Sequence, residues 1–117
     1  MANTFKVKTD AAAPATAGQF DTFYTAPSPS TTAIVLGLMV CNVKTSQVTA
    51  TVRLNTNTVD VETNQPVLLV QDVPIPVGSS VELLAGNKVV LQTTDFLEID
   101  CDTTAGVDVT LSIMEIT

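Results

Sequence analysis

The chain has no histidine and no tryptophan, and it sets only five basic side chains against twelve acidic ones. Without histidine it lacks the commonest general base and the commonest transition-metal ligand. A net charge of −7 repels a phosphate backbone, so nucleic acid is not an expected partner. Two cysteines, Cys41 and Cys101, are too few for a disulfide framework. They lie far apart and have no histidine partner, which argues against a zinc site or an activated thiol; both are expected to be buried free thiols. There is no glycine-rich phosphate loop and no G-x-S-x-G elbow. No apolar run approaches the roughly 20 residues of a membrane-spanning helix. The early stretch "DAAAPATAG" is small rather than hydrophobic, so no signal peptide is expected and synthesis in the cytosol is the natural reading. Aromatic side chains are few, four Phe and one Tyr.

What the chain does have is apolar, strand-forming residues. Hydrophobic residues make up 45% of 117 positions, and charged residues only 15%. One domain is expected at this length, and a domain of this size buries roughly two-thirds of the surface its unfolded chain exposes. The apolar surplus is expected to meet other subunits. Thr and Val dominate, both stiff at Cβ. Short apolar runs are punctuated by Gly, Pro, Asn, Asp and Ser, the pattern of an all-β sandwich or barrel. About eight to nine strands are expected, in a two-sheet antiparallel β-sandwich resembling a jelly roll.

The strands read as follows. "TFKVKTD" alternates Phe5 and Val7 with Lys6 and Lys8, and "AAAPATAGQ" reads as a flexible or extended connector. Together they suggest an N-terminal arm and linker over residues 1–19, ahead of a sandwich domain over 20–117. Strand character resumes near Phe20–Thr25 and stops at "PSPS". "TAIVLGLMVCNV" is apolar on both faces, with Ile34, Leu36, Leu38 and Val40 on one and Val35, Gly37, Met39 and Cys41 on the other. Such a strand needs a cover on both sides. "NVKTS" reads as a hairpin turn into "QVTATVRLN", where Val48, Ala50, Val52 and Leu54 face inward. A short edge strand is expected around Val59–Val61. "PVLLVQDVPIP" is another apolar run, whose end Pro74 and Pro76 demote to an edge or a connecting crossover. Gly86-Asn87 suggests a tight turn between two short strands. Leu97, Ile99 and Cys101 share one face, and Val107, Val109, Leu111 and Ile113 close the core.

Three features could carry function. Asp95, Glu98, Asp100, Asp102 and Asp108 form an acidic comb whose alternate members lie about 7 Å apart on a strand. It could hold calcium, meet a basic patch, or in principle act as a carboxylate pair; the plainer reading is a solvated strand face. Phe23-Tyr24 could be a carbohydrate platform, or Phe23 could pack inside while Tyr24 caps an edge or meets a neighbour. The arm could add to a neighbour's sheet edge, with Lys6 and Lys8 meeting another copy's Glu98, Asp100 or Asp102; equally, it could pair within its own sheet. Candidate partner-binding residues are therefore Phe5, Lys6, Val7, Lys8, Tyr24, Val35, Met39, Glu98, Asp100 and Asp102. No catalytic residue, cofactor or metal is assigned.

Two longer stretches point to a family. "FYTAPSPSTTAIVLGLMVCNV" resembles the opening of small virion proteins of tailed bacteriophages, and "DVPIPVGSSVELLAGNKVVLQTTDFLEI" with "VDVTLSIMEI" resembles their ending. The resemblance spans roughly residues 20–117 and rests on strand and turn residues. It departs at "TTDFLEI", where Thr94 stands in place of a usual glycine and puts the tight turn in question. What it implies is a β-sandwich structural protein of the virion, assembled in the host cytoplasm, of a phage of marine bacteria or cyanobacteria. A capsid decoration or cement protein is the simplest form, bridging neighbouring subunits. Its partners would be the major capsid protein or other virion proteins, and a homo-oligomer, trimer or dimer, would be expected. A neck, tail or fibre-associated protein is the alternative within that class, and a carbohydrate-binding module the alternative outside it.

Overall fold

The computed structural model describes residues 3–27, 30–56, 64–84 and 87–117. Nine strands lie among them: β1 (Asn3–Ala13), β2 (Asp21–Thr25), β3 (Thr32–Asn42), β4 (Val48–Asn55), β5 (Val67–Ile75), β6 (Ser80–Glu82), β7 (Val89–Leu91), β8 (Phe96–Cys101) and β9 (Val107–Ile116). One sheet runs β1-β9-β3-β6, with β7 also on β3; the other runs β2-β8-β4-β5. The antiparallel pairs nest: β4 with β5, β3 with β6 and β7, β2 with β8, β1 with β9. A long ribbon rolled upon itself gives this order, and it is the jelly roll. The expected all-β sandwich is what the chain forms.

The core is the interdigitated inner faces of the two sheets. Val107, Val109, Leu111 and Ile113 of β9 point inward at every second position, as do Val48, Ala50 and Val52 of β4 and Leu97, Ile99 and Cys101 of β8. β5 is an edge strand, as its Pro74 requires. Thr94 sits at φ 74°, the left-handed conformation a glycine adopts freely. The turn survives because the Thr94 amide bonds the Ala26 carbonyl at 3.0 Å and the Asp95 carboxylate accepts the Gln92 amide at 3.1 Å.

Several local expectations are corrected. Residues 3–13 are no arm: β1 pairs along its length with β9, from Asn3 opposite Ile116 to Ala13 opposite Val107. The division at residue 19 therefore falls within one sandwich, and only residues 14–20 cross from one sheet to the other. The strict alternation expected for β3 breaks at Leu36, where the register against β9 slips between Val35 and Gly37. A bulge flips the faces downstream. Val35 is thus a core residue beside Ala33, Leu38 and Val40, and not an outward one. "NVKTS" is no hairpin turn, since β3 and β4 belong to different sheets. It is an arch held by buried Asn42, whose amide donates to the carbonyls of Ser46 and Ile75 and whose oxygen accepts the Lys44 amide. Likewise β6 and β7 do not pair with each other; each pairs with β3. The strand expected at Val59–Val61 and the glycine of the Gly86-Asn87 turn lie outside the described residues.

Candidate functional site

Strand pairing sorts the side chains of the β1-β9-β3 sheet into two faces, because residues directly opposite one another project to the same side. The inner face of β1 carries Thr4, Lys6 and Lys8, opposite Glu115, Ile113 and Leu111. Glu115 is the unexpected member. It continues the inward row of β9, only 4% exposed, with Lys6 Nζ 2.8 Å from one carboxylate oxygen. On the other oxygen, Tyr24 Oη of β2 donates a hydrogen bond of 2.6 Å. Burying a carboxylate is tolerable only with such partners. Lys6 and then Tyr24 hold the Glu115 carboxyl below its usual range, while burial and this bond push the Tyr24 hydroxyl upward. The triad ties β1 and β9 to the opposite sheet.

Lys6 therefore pairs with Glu115 of its own chain, correcting its expected meeting with Glu98, Asp100 or Asp102 of another copy. Tyr24 is buried, and a bulge at Phe23 lets that ring pack on the core as well, so this pair is not a surface platform for sugars. The signal for Glu115 was in the sequence: it stands two residues past Ile113, in phase with four inward apolar residues.

The acidic comb is also engaged. Glu98 is buried on the outer face of β8, where Arg53 Nε lies 2.5 Å from its carboxylate and the Arg53 guanidinium stacks 4.1 Å from the Phe20 ring centroid. Asp100 accepts the Gly18 amide at 3.0 Å, Asp102 the Thr49 amide at 3.1 Å, and Asp108 the Ala12 amide at 2.8 Å. Asp100 thus fastens the 14–20 crossing, Asp102 ties the end of β8 to β4, and Asp108 ties β9 to the end of β1. The Thr49 amide holds the Asp102 carboxyl below its usual value, while burial, with Asp21 and Asp108 nearby, raises that of Asp10. Among the described residues no group of three or more His, Cys, Asp or Glu is placed to hold a metal ion. Nor is any helix long and apolar enough to cross a membrane.

The outer face of the same sheet is different. Phe5 of β1 lies opposite Met114 of β9, Met114 opposite Ile34 of β3, and Ile34 opposite Val90 of β7. Four apolar side chains thus form one row across four strands. Phe5 is 71% exposed and Val90 55%. The rows on either side bring Val7 opposite Ser112 and Asn3 opposite Ile116. The bulged Leu36 is half-buried nearby, and Ile34, Leu36, Met114 and Ile116 all lie outside the packed core. None of these side chains is charged, in a chain of net charge −7. The acidic outward residues among the paired strands of this sheet, Asp108 and Glu82, sit at its other end, opposite Cys41 and Met39, while exposed Lys88, two residues before Val90, stands at the margin of the patch. From strand spacing and rise the uncharged patch covers roughly 400–500 Å². Of the candidate residues, Phe5, Val7 and exposed Met39 lie on this face; Tyr24, Val35 and Glu98 are buried, and Lys8 lies on the inner side.

No family model and no curated protein matches the chain. A solved chain from Bacillus endospore appendages, described as forming a novel family of disulfide-linked pili, is similar over 97% of this chain and 81% of its own. The identity is 16% and the TM-score 0.40. The cysteines of the present chain are free: Cys41 is half-buried on β3, and Cys101 is buried on β8 in the other sheet. Cys41 thus departs from the expected full burial.

Proposed function

We propose that this chain is a structural subunit of a tailed-bacteriophage virion, most simply a capsid decoration protein that stabilises the head by bridging neighbouring subunits. The single observation that carries the reading is the uncharged apolar patch centred on Phe5, Met114, Ile34 and Val90. A patch of this size is about the largest that a monomer ordinarily carries, and such patches often serve contact with another protein. The jelly roll and the resemblance of residues 20–117 to small virion proteins support the same reading. Function here is contact rather than chemistry: the exposed ends of the sandwich and its outer faces would meet the major capsid protein or other virion proteins.

Purified particles of the phage that encodes the chain provide the test. Quantitative peptide mass spectrometry should find the protein at a fixed stoichiometry to the major capsid protein, and a particle reconstruction should place its sandwich on the head. Absence from the particles would overturn the proposal.

A further inference from the structure

We propose that the uncharged patch on the outer face of the β1-β9-β3-β7 sheet is the seat of a second copy of this chain, packed face to face about a two-fold axis. The inference builds on the reading of the chain as an assembling subunit and names the partner of one face.

Charge selects the occupant. Each copy carries −7, so two copies repel unless they meet through a surface free of acids. This end of the sheet supplies that surface, with exposed Lys88 at its margin two residues before Val90, whereas the acids at its far end and around the 14–20 crossing lie outside it. A basic partner would be drawn to the acidic remainder of the molecule instead.

Geometry fits self-association as well. An isologous interface requires that residue i meet residue j while j meets i. An axis passing between Met114 and Ile34, the central pair of the row, achieves this. It sets Phe5 of one copy against Val90 of the other, and Met114 against Ile34, twice over. The large ring stands at one end of the row and the small valine at the other, so the two protruding ends do not collide. Two antiparallel sheets stack in this way about 10 Å apart with strands inclined by roughly 30°.

The area sets the strength. About 400–500 Å² per copy gives roughly 800–1,000 Å² in the pair, below the roughly 1,200 Å² of stable specific complexes and in the range of weak, transient ones. The dimer is therefore weak in free solution, and a lattice of further contacts would raise its effective affinity without new bonds.

Sedimentation velocity on the full chain, from about 1 µM to 1 mM, tests the inference. A concentration-dependent monomer–dimer equilibrium is expected. Phe5→Asp and, independently, Val90→Asp should each weaken it at least about tenfold, at an unchanged melting temperature. Leu68→Asp, at an exposed position on the other sheet, should leave it intact. Phe5→Cys mixed with Val90→Cys, both in a Cys41→Ser background, should cross-link with a short bismaleimide. A chain that stays monomeric throughout would overturn the inference. So would a dimer indifferent to Phe5→Asp and Val90→Asp, or one equally sensitive to Leu68→Asp. The virion reading fails separately: a dimer by this face in a protein missing from particles sinks that reading alone, and a monomeric chain found in particles sinks this one alone.

Discussion

Replacing Tyr24 with Phe removes one oxygen from the interior and leaves the ring. The lost contact is the 2.6 Å hydrogen bond to Glu115, which is inward-facing and 4% exposed. Hydrogen bonds to charged groups are worth about 1.5–3 kcal/mol. The remaining partner, Lys6, is 43% exposed, and solvent screens its share to no more than about 1 kcal/mol. It cannot offset the loss. A cost of about 2 kcal/mol is expected, or about 5–12 °C in melting temperature for a domain of this size. Urea denaturation at pH 7 measures it directly.

The pH profile gives a second check. Glu115's carboxyl is held below its ordinary 4.5, so its share of stability is complete above that value and is lost as pH falls through the lower folded value. Tyr24's hydroxyl is raised above its ordinary 10.0, so its share is complete below that value and is lost as pH climbs toward the folded one. The wild-type plateau should therefore slope down at both ends. Tyr24→Phe should remove this hydroxyl's contribution to the alkaline slope, leaving that of the buried Cys101 thiol, and Glu115→Gln the contribution of this group to the acid slope. A Tyr24→Phe protein within about 0.5 kcal/mol of wild type, with an unchanged alkaline limb, would refute the assignment of the triad as the tie between the sheets.

Three further outcomes are expected. Val35→Asp should abolish folding, because it places a charge in the core, while Met39→Asp should leave the melting temperature within a few degrees; circular dichroism of both variants distinguishes core from outer face. Gly106→Ala should cost about 1–3 kcal/mol by overpacking, since a Cβ there would lie 2.6 Å from Cys101 Sγ and 2.9 Å from the Thr103 carbonyl oxygen; chemical denaturation measures it. Thiol titration should find Cys41 reactive in the native protein and Cys101 only after unfolding, because burial both shields the Cys101 thiol and raises its pKa.

Much of the fold was legible from residue pattern. Strands β4, β8 and β9 alternate cleanly, and the prolines of "PVLLVQDVPIP" mark an edge, because side-chain period and the missing proline amide are local properties. The two apolar faces of β3 were visible too, and with them the need for a second cover on that sheet. Their assignment failed at Leu36, where one inserted residue reverses every side chain beyond it, and nothing in "TAIVLGLMVCNV" marks where a bulge will fall. The candidate site was half legible for a related reason: Phe5 and Val7 stood out as apolar residues of a strand, but the row they join requires knowing that β1 pairs with β9.

By itself, then, the sequence determined the class of structure and the supply of apolar surface, since both follow from residue type and spacing along a strand. The tertiary structure alone decided which surface stays bare and which acids are spent inside. Long-range pairing brings Phe5, Met114, Ile34 and Val90 into one row, and sets Lys6 and Tyr24 on either side of Glu115. Register between strands distant in the chain is a property of the whole packing, and no local stretch of residues encodes it.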